Sequence, residues 1–73
     1  MLMFLAMAEC GKKVLIKEVL GGFKLKKRLS DLGIYEGIKV EVVRNDFSGP
    51  MIVGILDSKV ILGRGEAHKI RVE

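Results

Sequence analysis

Few side chains in this sequence are equipped to do chemistry. The thiol of Cys10, the imidazole of His68 and the carboxylate of Glu66 are the candidate transition-metal ligands. Glu66 and His68 are two residues apart and there is no second histidine, so a site within one chain needs Cys10 to fold onto them. A weak site shared between copies is the other arrangement. Met1, Met3 and Met7 offer soft thioethers, for which apolar packing is the commoner role. Ser30, Ser48 and Ser58 have no nucleophile motif around them, so a catalytic triad lacks its parts. Gly63-Arg64-Gly65 lacks the third glycine of a dinucleotide loop. Gly21-Gly22 before Lys24 lacks the Gly-Lys-Ser/Thr ending of a phosphate loop. Neither a resident cofactor nor an enzymatic activity is expected.

A second kind of chemistry is electrostatic. The chain carries 13 Lys/Arg against 9 Asp/Glu, a net charge of +4. Residues 24 to 28 read KLKKR and hold Lys24, Lys26, Lys27 and Arg28. The other nine cations match the nine carboxylates, so the whole excess lies in this segment. A local cationic patch implies an acidic protein surface, a phosphate-bearing ligand or an anionic membrane face.

The elements that must position this patch come from a short chain. Seventy-three residues build one domain with a small core, expected to span residues 1 to 73. With 49% apolar and 30% charged residues the chain is too hydrophobic for a disordered tail. A single cysteine excludes an internal disulfide and a multi-thiolate zinc site. The opening MLMFLAMA is apolar for eight residues before Glu9, far short of the roughly 20 that span a bilayer. It has no preceding positive charge, so it reads as an apolar N-terminal extension or first-strand segment. A lone thiol without an export signal fits the cytoplasm.

Residues 12 to 20 read as a strand with Val14, Ile16 and Val19 inward, broken by Gly21 and Gly22. Residues 23 to 32 read as a helix, with Leu25, Leu29 and Leu32 forming one apolar stripe. Gly33 follows as a left-handed helix ending, which pairs Leu29 with Ile34 across it. The cations crowd the first half of this helix, where the macrodipole is already positive, and Asp31 sits at the negative end. Helix stability favours the opposite pattern, so KLKKR reads as a face aimed at a partner. The competing reading is a solvated face whose screened lysines cost little.

Ile38, Val40 and Val42 alternate with Lys39 and Glu41 in a strand over 37 to 44. NDFSGP forms a loop, and MIVGIL and KVIL form a hairpin about an Asp57-Ser58 turn. Residues 63 to 69 read as an irregular bend or one helical turn before a last strand at Ile70 and Val72. The sum is a mainly β, partly open antiparallel barrel of about five strands closed over one short helix.

The ordered motifs then become specific. Gly11 stands before the first strand, and Arg28, Leu29, Leu32, Gly33, Ile34 and Gly37 spell RL-x-x-LG-I-x-x-G. Gly49-Pro50 follows, and Gly63, Arg64, Gly65, Ala67, Lys69 and Ile70 form a closing G-R-G-x-A-x-K-I. This set resembles the FeoA family, small cytoplasmic proteins that accompany the ferrous-iron transporter FeoB. Members commonly have proline where this chain has Cys10, for which a small apolar filler is the plain reading.

The resemblance implies an SH3-like barrel and a non-enzymatic accessory or regulatory role in ferrous-iron uptake. It implies docking on the cytosolic part of the transporter. The same fold occurs as an interaction module at the C-terminus of iron-dependent repressors. The expected docking face is Lys24, Lys26, Lys27 and Arg28. The alternatives are a small basic barrel that binds nucleic acid and a weak metal-binding module. Against nucleic acid, Phe4, Phe23, Tyr35 and Phe47 do not interleave with basic residues along a strand. The apolar N-terminus and open barrel edges also favour weak self-association.

Overall fold

Alternation of apolar and polar residues forms strands that share one core. The computed structural model describes residues 3–73. Six antiparallel strands run in the order β1-β6-β2-β3-β4-β5. They are β1 (Met3–Phe4), β2 (Lys13–Val19), β3 (Lys39–Arg44), β4 (Met51–Ile55), β5 (Ser58–Leu62) and β6 (Ile70–Val72). The main helix α1 spans Phe23–Asp31 and a single-turn helix α2 spans Arg64–Ala67. This is the expected mainly β, SH3-like architecture, with one strand more than the sequence pattern suggests.

The additional strand comes from the apolar N-terminus. Met3 and Phe4 pair with Val72 and Arg71, and a 3-10 turn at Leu5–Met7 drops Leu5 and Ala6 into the core. The reading of residues 1 to 8 as a first-strand segment therefore holds for its described part, and Met1 and Leu2 lie outside it. Met3 packs against the core, whereas Met7 is exposed, contrary to the expected packing role.

Strand parity agrees with the sequence, and β2 shows why. Val14 and Ile16 face inward, and a register shift between Ile16 and Glu18 then turns Val19 to the same side. Val40 and Val42 of β3 point inward beside Met51, Val53 and Ile55 of β4. The β4–β5 hairpin differs by one residue from expectation. Ile55 pairs with Ser58, so the turn is Leu56-Asp57, with Leu56 at φ +53°. Leucine is a poor turn residue in that conformation, so composition alone points to a turn at Asp57-Ser58.

Two devices fix the elements outside the sheet. The first ends α1. Gly33 has φ +94°, its N–H donates to the Ser30 carbonyl at 2.9 Å, and the Ile34 N–H donates to the Leu29 carbonyl at 2.8 Å. These are the two bonds of a Schellman ending, and Leu29 and Ile34 both lie fully buried. Leu32 sits at the C-cap and is 41% exposed, so the buried stripe is Leu29 with Leu25 partly covered, not all three leucines.

The second device is polar. Asn45, 5% exposed, is the buried polar residue among the described core. Its Nδ2 donates to the carbonyls of Ala6 at 3.0 Å and Ala8 at 2.7 Å, and its Oδ1 accepts from the Phe47 N–H. Arg64 donates to the same Oδ1 at 2.7 Å, to the Ala6 carbonyl at 2.9 Å and to the Gly49 carbonyl at 2.9 Å. This clasp ties the N-terminal segment, the β3–β4 loop and α2 together. It satisfies backbone groups that the 3-10 turn cannot pair internally.

Two stability outcomes follow from these devices. In Gly33→Ala the new methyl meets Ile55 only at ordinary contact distance, 3.7 Å, so the loss comes from backbone strain. Urea unfolding should show a loss of about 1 kcal/mol. Asn45→Ala strands several buried partners and should cost about 2 kcal/mol or more, while exposed Asp46→Ala should stay within about 0.5 kcal/mol.

Candidate interaction surface

The placement of KLKKR begins with the turn before it. Gly21, at φ +118°, packs where a Cβ would meet Leu25 Cδ2 at 3.1 Å, and Gly22 caps α1 in extended conformation. The helix thus starts close against the end of β2, with Leu29 below and the cations above. Lys24, Lys26, Lys27 and Arg28 are all exposed.

Their charges are not equally free. Lys27 Nζ lies 3.3 Å from Asp31 Oδ2, one helical turn on, with both side chains more than half exposed. Such a pair contributes only about 0.3–0.5 kcal/mol. Arg28 reaches across to Glu66 of α2 and forms an ion pair there. Lys24 and Lys26 make no ion pair among the described residues. Lys26 lines a surface depression together with Val19, Ser30, Ile34, Tyr35 and Glu36. The unpaired cations are therefore Lys24 and Lys26, which lie two residues apart and so on opposite flanks of the helix, either side of Lys27.

Glu66, a weak metal-ligand candidate in the sequence, is engaged within the fold. Its side chain is 18% exposed and fully engaged. Oε1 accepts the Gly63 N–H at 3.0 Å, closing the first turn of α2, while Oε2 holds Arg28. Gly63 has no side chain to return the bond, so only half of a capping box is made. A Glu three residues after a helix-starting glycine is the local signal for this role. The Arg28 contact, 38 residues away, has no local signal.

The other metal candidates are not drawn together. The Cys10 thiol donates to the Val43 carbonyl at 3.4 Å and accepts the Asn45 N–H at 3.3 Å. His68 is exposed at the C-cap of α2. Among the described residues no group of three or more His, Cys, Asp or Glu side chains is spaced to hold a metal ion. The aromatic side chains are likewise dispersed. Phe4 lies in β1, Phe23 in α1, Tyr35 after α1 and Phe47 in the β3–β4 loop, so they form no stacking row for bases. No helix among the described residues is long and apolar enough to cross a membrane.

Comparison with known proteins agrees with this architecture. The FeoA domain family model matches residues 3–73. The chain is 41% identical over 69 residues to "Putative Fe(2+) transport protein A" of Methanocaldococcus jannaschii, covering 94% of this chain and 83% of that protein. A crystal structure of an iron uptake regulatory protein, FeoA, superposes with a TM-score of 0.92 at 25% identity, over 100% of this chain and 97% of that one. The solution structure of FeoA from Chlorobium tepidum gives 0.87 at 28% identity, over 97% and 69%. A manganese-dependent transcriptional repressor shares the fold at 21% identity, with a TM-score of 0.87 over 99% of this chain and 36% of its own. A family match across the described chain, joined to a relative of this identity and coverage, shows that the chain belongs to the FeoA family of ferrous-iron transport proteins.

Proposed function

We propose that this chain is a non-catalytic accessory of ferrous-iron uptake. It works in the cytoplasm as a single domain and docks on the cytosolic part of a FeoB-type transporter through the outer face of α1. The observation that carries this reading is that Lys24 and Lys26, both exposed and without an ion-pair partner among the described residues, flank the outward Lys27 on a helix anchored from beneath. The anchoring gives the patch a fixed shape, which lowers the ordering cost of association.

Lys27 and Arg28 belong to the same face in a secondary role. The Lys27–Asp31 pair is exposed enough to exchange against carboxylates of a partner at small cost, whereas the largely covered Glu66 keeps Arg28 engaged. The contact is then polar and salt-sensitive, and it contributes more to encounter rate and specificity than to raw affinity.

Stability and binding should separate on this surface. The first turn of α1 has no acidic residue, so Lys24→Glu places favourable charge near the positive end of the helix dipole. It should raise stability by about 0.3–1 kcal/mol at low salt. The Lys24→Glu/Lys26→Glu variant should nevertheless capture much less of the purified cytosolic domain of the transporter in a pull-down at low salt. Undiminished capture rejects this face.

A further inference from the structure

The two ends of the sheet are built differently. Among the described residues β1 spans only Met3 and Phe4. β5 is five residues long and pairs with β4 without a bulge from Met51↔Leu62 to Ile55↔Ser58. It contains no proline and a single charge, Lys59. β2 and β3 both carry register shifts, so β5 is the regular strand left at an edge.

Hairpin geometry says which of its groups are open. The two-residue loop makes Ile55–Ser58 a hydrogen-bonded pair, and the alternation continues through Val53–Val60 and Met51–Leu62. The N–H and C=O of Lys59 and Ile61 therefore face away from β4. Among the described residues no other group bonds to them. Val60 and Leu62 point into the core, while Lys59 and Ile61 point outward. Ile61 is 68% exposed and lies opposite Ile52, with Val43 beside Gly54 on the next strand. An apolar strip thus crosses the outer sheet face and stops at the open edge.

We propose that β5 pairs with β5 of a second copy, antiparallel about a two-fold axis through Val60. In that register Lys59 of each copy lies opposite Ile61 of the other, and the open backbone groups of both residues are satisfied together. No like charges stand directly opposite, and each Ile61 is covered by a lysine stem. The strand is self-complementary as written, which is the argument for a second copy over an unrelated extended segment. The overall charge of +4 opposes this association, so it strengthens as salt rises. Docking through α1 has the opposite salt dependence, and failure of either reading leaves the other standing.

The test uses the full chain, by sedimentation equilibrium and amide hydrogen exchange over a range of protein concentrations. A reversible dimer is expected, with the Lys59 and Ile61 amides protected only where it is populated. Ser58, Val60 and Leu62 amides should be protected throughout. Ile61→Lys sets lysine against lysine twice and should weaken the dimer roughly tenfold. Adding Lys59→Glu to that variant sets glutamate against lysine and should restore it. Both side chains are on the solvent face, so melting temperatures serve as the folding control. A monomer at every concentration, or freely exchanging Lys59 and Ile61 amides in a dimer, overturns the proposal. So does a double variant that stays monomeric, or protection of those amides that appears only with the transporter domain.

Discussion

The position of α1 depends on one left-handed residue. Gly33 lets the chain reverse at the end of the helix, so that the Ile34 N–H bonds the Leu29 carbonyl and both side chains enter the same core. A nine-residue helix has little stability alone, and this one carries unfavourable charges at its N-terminus. Packing of Leu29 beneath it and closure at Gly33 above it supply what propensity does not. The cations stand outward because Leu25 and Leu29 of the same helix are held inward.

Around that anchor the polar contacts divide into two kinds. The Asn45–Arg64 clasp is buried or half-buried and joins segments distant in the chain, so each of its bonds replaces water that folding removes. The Lys27–Asp31 pair lies mostly in solvent, where an ion pair is worth between nothing and about 1 kcal/mol, and Arg28 reaches from solvent to a Glu66 carboxylate that is largely covered. The first kind holds the shape, and the second adjusts the charge that the shape displays. Glu66 serves both, since one carboxylate oxygen closes α2 and the other links it to α1.

Much of the fold was legible because its information is local. The alternation of Val40 and Val42, the Leu29–Gly33–Ile34 ending and the glycine break at 21 and 22 each depend on neighbours within a few residues. What escaped was non-local or contrary to propensity. Leu56 occupies a positive-φ turn position at 96% exposure, where composition points one residue later. Leu32 lies in register with the apolar stripe, but the helix has ended and it faces solvent. Asn45 reads as an ordinary loop residue until the N-terminal segment is laid beside it, and only the topology does that. At the candidate site, the four cations were legible as a cluster. The partial offset of Lys27 is readable from its spacing to Asp31, whereas that of Arg28 by Glu66 is not.

The central claim is that the surface presented to the transporter is the outer face of α1. It is tested most directly by titrating isotope-labelled protein with the unlabelled cytosolic domain of the transporter and mapping the perturbed backbone resonances. The account predicts that the largest changes fall on residues 23 to 28 and fade as salt is raised. Changes centred on the β3–β4 loop or the β5 edge, with the helix unmoved, would contradict it.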